Sequence, residues 1–170
     1  EYAMSADVLI AERDAKMGMP EILFNLFPGM GAYSLLSRKI GAVQAERMIL
    51  GGALYSAEQL HEMGIVDVLA EEGQGQQAVL DYIHKQERAG NGYQAFRRAK
   101  QYCNPITYDE LKNITMAWVD AALRLDDKNL RMMQRLVTRQ TARSHADMET
   151  ANISETTGRR RAACRKHTTP

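Results

Sequence analysis

The chain has little cysteine, no excess of one charge and no long apolar run, and each shortage argues against a class of protein. Its two cysteines, Cys103 and Cys164, do not form a CxxC pair. They are a poor disulfide framework, and free thiols in a reducing cytoplasm are the simplest interpretation. The formal net charge of +1 leaves no large field to draw the body of the chain onto nucleic acid. No apolar run reaches the roughly 18 residues of a membrane span.

Several catalytic signatures are also missing from the sequence. There is no GxSxG elbow of a serine hydrolase and no Walker loop for nucleotide phosphates. Four histidines lie scattered without metal-ligand spacing: His61, His84, His145 and His167. Cys103 is expected to be a packed thiol near a helix end rather than a nucleophile. We therefore expect neither a metal site nor a cofactor.

What the chain does contain is the pattern of a globular α/β protein. Hydrophobic residues make up 45% of its 170 positions, enough for one domain with a core. The pattern starts at Glu1 without a polar leader, so we expect that the chain is part of a longer folded unit. Val8 to Ala11 and Ile65 to Leu69 predict buried strands. Glycine and proline predict a loop over residues 16–28.

Helical periodicity dominates the rest. A helix is predicted from Ala32 to Gly41, another from Val43 to Gly51, and a short one after Ser56, where the capping-box spacing occurs. Residues 76–88 and 93–102 follow with apolar faces. Thr107 is expected to cap a long helix, and Asp126 and Asp127 to begin another. We divide the chain into residues 1–72 with the site, a helical region over 73–143, and a disordered tail over 144–170.

Two carboxylates in the first segment suggest acid–base chemistry. Glu1 begins a short predicted helix, and Glu21 follows a strand and a Gly-Pro loop. A pair of carboxyl groups can divide acid and base work when their environments separate their pKa values. Spacing alone does not show that the two converge, and most glutamates are solvated surface residues.

Three ordered motifs resemble the signature of the crotonase superfamily, also called the enoyl-CoA hydratase/isomerase family. They are Glu1 to Asp7, Met17 to Glu21 and Phe27 to Gly31. In that family one glutamate opens a helix, a second follows 20 positions later in a Gly-x-Pro-Glu segment, and a Pro-Gly-x-Gly turn comes next. The resemblance implies the C-terminal part of a crotonase ββα spiral followed by packed helices, with Glu1 and Glu21 catalytic. It leaves open which glutamate serves which proton.

A narrower resemblance concerns Leu23 to Ser34, which is similar to the diffusible signal factor synthases, a bacterial crotonase branch. That branch dehydrates 3-hydroxyacyl groups on acyl carrier protein and hydrolyses the thioester, which releases a cis-2-unsaturated fatty acid used in quorum sensing. Matching positions imply that Met30, Trp118 and Leu136 line the acyl slot, although apolar helix residues are more often plain core. Gly29, Met30 and Gly31 are further candidate substrate contacts, because a turn that opens a helix can present N–H groups.

The resemblance also implies partners and leaves alternatives. The expected partners are an acyl carrier protein or CoA thioester, further copies of the chain in a trimer or hexamer, and a membrane sensor kinase that restrains the synthase. No nucleic acid is expected, since acidic residues dilute the basic tail. The first alternative is an ordinary enoyl-CoA hydratase or isomerase. The second is an inactive interaction fragment, because the family's donors to the thioester oxygen come from a turn and a loop before Glu1.

Overall fold

The computed structural model describes residues 1–142. This chain forms two compact units, Glu1–Leu125 and a second that starts at Asp126. Residues 127–142 of the second unit are helical, as the acidic start at Asp126 predicts. The tail predicted over residues 144–170 lies outside the described residues.

The strands of the first unit form two short ladders. β1 (Ile10–Glu12) pairs in parallel with β4 (Val68–Ala70), with Ala11 opposite Leu69. A parallel pair needs a long crossover. Here the crossover contains Glu21 and the turn at residues 29–31, whereas Glu1 precedes β1. Strands β1 and β4 correspond to the strands predicted over residues 8–11 and 65–69. Each observed strand begins and ends nearer the C-terminus than predicted.

The second ladder was not predicted from the sequence. β2 (Lys16–Gly18) pairs antiparallel with β3 (Leu54–Ser56), with Met17 opposite Tyr55. Gly18 lies so close to Ala53 that a Cβ on Gly18 would be 2.3 Å from the Ala53 carbonyl oxygen. The residues expected to form only a loop therefore include a strand. Glycine at position 18 lets the backbone of β2 approach Ala53 closely.

The first unit contains six α-helices and two 3-10 turns. The 3-10 turns are Ala3–Ser5 and Pro20–Phe24. The helices are α1 (Ala32–Ile40), α2 (Ala42–Gly51), α3 (Ala57–Glu62), α4 (Gly75–Arg88), α5 (Gly90–Tyr102) and α6 (Tyr108–Ala122). The capping box predicted at Ser56 is present, and the Thr107 side chain caps α6. The α/β class is confirmed.

The core lies in the first seventy residues. Leu36, Leu60 and Val66 are fully enclosed, and they pack with residues of β1 and α2. By contrast α4, α5 and α6 contain no buried residue. Their apolar side chains make contacts but remain partly exposed. No helix within residues 1–142 is long and apolar enough to cross a membrane.

Candidate active site

The Glu1 carboxylate is held by the backbone at the start of α1. Its Oε1 atom accepts hydrogen bonds from the N–H of Met30 at 2.7 Å and from the N–H of Ala32 at 3.1 Å. Gly31, between these donors, has a φ of +94°, a conformation that strongly favours glycine. The first N–H groups of a helix have no partner within it, and its N-terminus attracts negative charge. The turn that precedes α1 therefore fixes the position of the Glu1 carboxylate.

Glu21 has a different environment on the 3-10 turn Pro20–Phe24. Its side chain is half-buried, and its Oε2 atom is buried without a hydrogen-bond partner among the described residues. Burial raises the pKa of the Glu21 carboxyl, and the nearby negative charge of Glu1 raises it further. Glu21 is thus a carboxyl group that keeps its proton to a higher pH and has one buried oxygen without a partner among the described residues.

The turn beside Glu1 is covered by α6. A Cβ on Gly29 would lie 2.3 Å from the Cδ1 atom of Trp118, and one on Gly31 would lie 2.7 Å from Leu111. The Thr115 hydroxyl is within 3.4 Å of the Gly29 carbonyl oxygen and donates to the Leu111 carbonyl at 2.9 Å. The two glycines are required here because a helix packs directly on their backbone.

A polar cluster also joins α6 to α1. Arg38 donates from both terminal nitrogens to the two Glu110 oxygens at 2.8 Å, and the Ser34 hydroxyl donates to Glu110 at 2.5 Å. Ser34 is only 2% exposed. The Arg38 and Ser34 hydrogen bonds hold the pKa of Glu110 below its usual value. Sequence reasoning did not find this cluster, because Glu110 has the ordinary place of an acid in the first helical turn.

The residues predicted to contact the substrate differ in exposure and in location. The Met30 side chain is 75% exposed beside the turn, while its N–H is occupied by Glu1. Trp118 is half-buried and packs on Gly29. Leu136 is half-buried within the second unit. Their roles as acyl-slot residues stay predictions. The expectation of a packed Cys103 is wrong, because this residue follows the end of α5 and is exposed.

A groove of about 600 Å³ lies elsewhere in the first unit. It is formed by residues 3–10 and by α4 and α5, and neither Glu1 nor Glu21 lines it. Arg97 forms an ion pair with Asp7 at its edge. Among residues 1–142 no group of three His, Cys, Asp or Glu side chains could hold a metal ion.

Comparison with known proteins identifies the family. The enoyl-CoA hydratase/isomerase family model matches residues 1–105, and the chain belongs to this family. It is 35% identical over 71 residues to a short-chain-enoyl-CoA hydratase of Clostridioides difficile, covering 42% of this chain and 46% of the relative. It is 36% identical over 66 residues to 2,3-dehydroadipyl-CoA hydratase of Escherichia coli, covering 39% and 26%.

A third relative is the fatty acid oxidation complex subunit alpha of Pseudomonas syringae. It is 34% identical over 100 residues, which are 59% of this chain and 14% of that protein. The chain thus spans less than half the length of these three curated relatives. The whole relatives contain much that has no counterpart in these 170 residues.

Solved structures show the same fold. Carnitinyl-CoA hydratase from Mycobacterium avium aligns with a TM-score of 0.62 at 19% identity, over 74% of this chain and 49% of that one. An enoyl-CoA hydratase from Mycobacterium tuberculosis aligns with a TM-score of 0.56 at 22% identity, over 72% and 56%. These likenesses confirm the crotonase fold that the sequence motifs predicted.

Proposed function

We propose that the protein adds water to 2-enoyl thioesters of coenzyme A, and removes water from the matching 3-hydroxyacyl thioesters, with Glu1 and Glu21 as the acid–base pair. The observation that carries the proposal is the contrast between the two carboxyl groups. Backbone N–H groups hold Glu1 as an acceptor. Glu21 has a raised pKa and a buried oxygen without a partner. Two carboxyl groups in such different environments can take opposite roles in one reaction.

In the proposed hydration, Glu1 accepts a proton from water while the water oxygen bonds to the β carbon. Glu21 gives its proton to the α carbon, so the carbon–carbon double bond becomes single and the thioester stays intact. Dehydration runs the same transfers in reverse. Exchange with solvent then returns the proton from Glu1 to Glu21. Each carboxyl group must be within hydrogen-bond reach of the atom it serves.

Negative charge that grows on the thioester oxygen needs further N–H donors. The N–H groups of Met30 and Ala32 are already used by Glu1. The donors to the thioester oxygen are therefore other groups than these two. The proposal assigns the turn a positioning role toward Glu1 and assigns the proton transfers to the carboxyl groups.

The narrower synthase hypothesis differs from the hydratase hypothesis by one step, which is hydrolysis of the thioester on an acyl carrier protein. Two of the curated relatives, the short-chain-enoyl-CoA hydratase and 2,3-dehydroadipyl-CoA hydratase, are CoA enzymes by name, and they support the hydratase hypothesis over the synthase hypothesis. Thioesterase activity, a carrier-protein substrate, a sensor-kinase partner, a trimeric or hexameric state and a cytoplasmic location stay predictions of the sequence resemblance. The inactive-fragment alternative predicts no turnover at all.

The test supplies the full-length protein with a 2-enoyl-CoA, with the matching 3-hydroxyacyl-CoA, and with the same acyl groups on carrier protein. Mass spectrometry of the products distinguishes the three readings. Interconversion of the two CoA thioesters supports hydration, free unsaturated acid supports the synthase, and no conversion supports the inactive fragment. Glu1→Gln and Glu21→Gln should each lower the rate by about 10²–10⁴-fold. Glu62→Gln, a change at an exposed residue of α3, is the matched control.

A further inference from the structure

Two features of the Glu1 site have no role in the proposed proton transfers. One is that α6 packs on the turn although no residue of α6 is buried. The other is the charged cluster of Ser34, Arg38 and Glu110, in which Glu110 is far from both glutamates in sequence. The cluster joins helices whose contacting residues are 72 and 76 positions apart.

The hydrogen bonds of the cluster join α1 to the start of α6 and to the residues just before it. Arg38 donates to more groups than Glu110. Its Nε also donates to the Asn104 carbonyl at 2.9 Å, and one terminal nitrogen donates to the Ser34 carbonyl at 3.0 Å. A planar guanidinium with this many partners holds its neighbours in one arrangement better than a lysine could. The Arg38 and Glu110 side chains are 23% and 30% exposed, so the pair is only partly screened by solvent.

The same arrangement determines where the Glu1 carboxylate lies. α1 carries Ser34 and Arg38 and begins at Ala32, one of the two N–H donors to Glu1. α6 carries Glu110 in its first turn and Trp118 two turns later, and Trp118 contacts Gly29. The turn is therefore confined between the start of α1 and one face of α6. Without that contact its glycines would be free to take other conformations.

We infer that Glu110 is a positioning residue for Glu1: through Ser34 and Arg38 it holds α6 against α1, which keeps the Met30 and Ala32 N–H groups on the Glu1 carboxylate. The catalytic meaning of this inference rests on the proposed function, whereas the contact itself does not. Glu110 touches no reacting atom. Its effect on the site is transmitted by the backbone of the turn.

Asp109 offers a matched control, because it is an exposed acid in the same first turn of α6. Both carboxylates favour the helix N-terminus to a similar degree, so a difference between their variants reports the link to α1. In Glu110→Ala, hydrogen exchange at the amides of Met30 and Ala32 should become on the order of tenfold faster. In Asp109→Ala these two amides should keep their rate. The amides of Met48 and Ile49 in α2, within the core, are the internal reference.

Equal exchange at Met30 and Ala32 in the two variants would overturn the inference, as would an equal increase at the α2 amides, which would mean general destabilisation. If Glu110→Ala does not fold, the same exchange measurement is made on Arg38→Lys. This variant keeps the positive charge but loses the paired hydrogen bonds to Glu110. Faster exchange at the two turn amides alone is then expected, and unchanged exchange contradicts the inference.

Activity gives a separate readout, with kcat lowered about tenfold in Glu110→Ala and KM unchanged. A wild-type protein without turnover would overturn the proposed function and leave the exchange result valid.

Discussion

The Glu1 carboxylate lies 2.7 Å from the backbone nitrogen of Met30, so a residue at the start of the chain is bound by the turn 29 positions later. The candidate site is therefore formed by residues that are distant in sequence and come together only in the folded chain. One carboxylate is fixed by N–H groups at a helix N-terminus, and the other is half-buried with an oxygen that has no partner.

The raised pKa of Glu21 predicts a stability that depends on pH. The folded protein binds this proton more tightly than the unfolded chain, whose carboxyl titrates near its ordinary value of 4.5. The stabilising contribution is therefore complete below pH 4.5 and is lost as the pH rises through the raised pKa. Glu21→Gln removes this loss. The melting temperature of the variant should therefore exceed that of the wild type at pH 8.

Thermal melts at pH 4 and pH 8 check this sign. The difference between Glu21→Gln and wild type should be small at pH 4 and positive at pH 8. Glu62→Gln, at an exposed position of α3, should change the melting temperature little at either pH. A Glu21→Gln protein that gains no stability at the higher pH would show that burial does not penalise the Glu21 charge.

Gly29→Ala should disturb the packing of α6 on the turn. The added Cβ would lie 2.3 Å from the Cδ1 atom and 2.8 Å from the Cβ atom of Trp118. Overpacking of this kind lowers the free energy of unfolding by about 1–3 kcal/mol. Trp118 is the only tryptophan of the chain, so its emission spectrum should shift at the same time. Urea unfolding followed by fluorescence measures both effects.

Gly92→Ala is the matched control, since a Cβ there meets nothing within 4 Å and the residue lies inside α5. Alanine is the better helix former, so the control should be neutral or more stable by about 0.5–1 kcal/mol. Equal stability of the two variants would mean that Trp118 does not press on Gly29.

The capping box of α3 should contribute measurably to stability. Ser56 Oγ accepts from the Gln59 N–H at 3.2 Å, and the Gln59 side chain accepts from the Ser56 N–H at 2.9 Å. Ser56→Ala should therefore lower the free energy of unfolding by about 0.5–2 kcal/mol. Ser37→Ala, inside α1, should be nearly neutral, because its hydroxyl only donates to the Ser34 carbonyl one turn earlier. Chemical denaturation of the two variants compares a cap with a helix-interior serine.

The sequence predicts these features to very different degrees. The caps at Ser56 and Thr107 depend on neighbours within four residues, and the structure confirms both. The β2–β3 ladder escaped prediction because neither strand contains a continuous apolar run like those that predicted β1 and β4, and β2 lies in a stretch rich in glycine and proline. The contact of Ser34 with Glu110 joins positions 76 apart, and no local pattern reports it.

The candidate site shows the same division. Family motifs point to Glu1 and Glu21, but only the tertiary structure places the free N–H groups of the turn on Glu1. The sequence suggested that this turn presents N–H groups to a ligand. In the structure the donors of Met30 and Ala32 serve the protein's own carboxylate. A turn motif predicts that donors exist and leaves their acceptor open.

The most direct test of the central claim follows the oxygen of water. The full-length protein is incubated in ¹⁸O-labelled water with a 2-enoyl-CoA, and the products are analysed by mass spectrometry. The account predicts label in the β-hydroxyl group of an intact CoA thioester, and labelling slowed by about 10²–10⁴-fold in both Glu1→Gln and Glu21→Gln. Label that appears in a free carboxylic acid, or labelling at the wild-type rate in either variant, would contradict it.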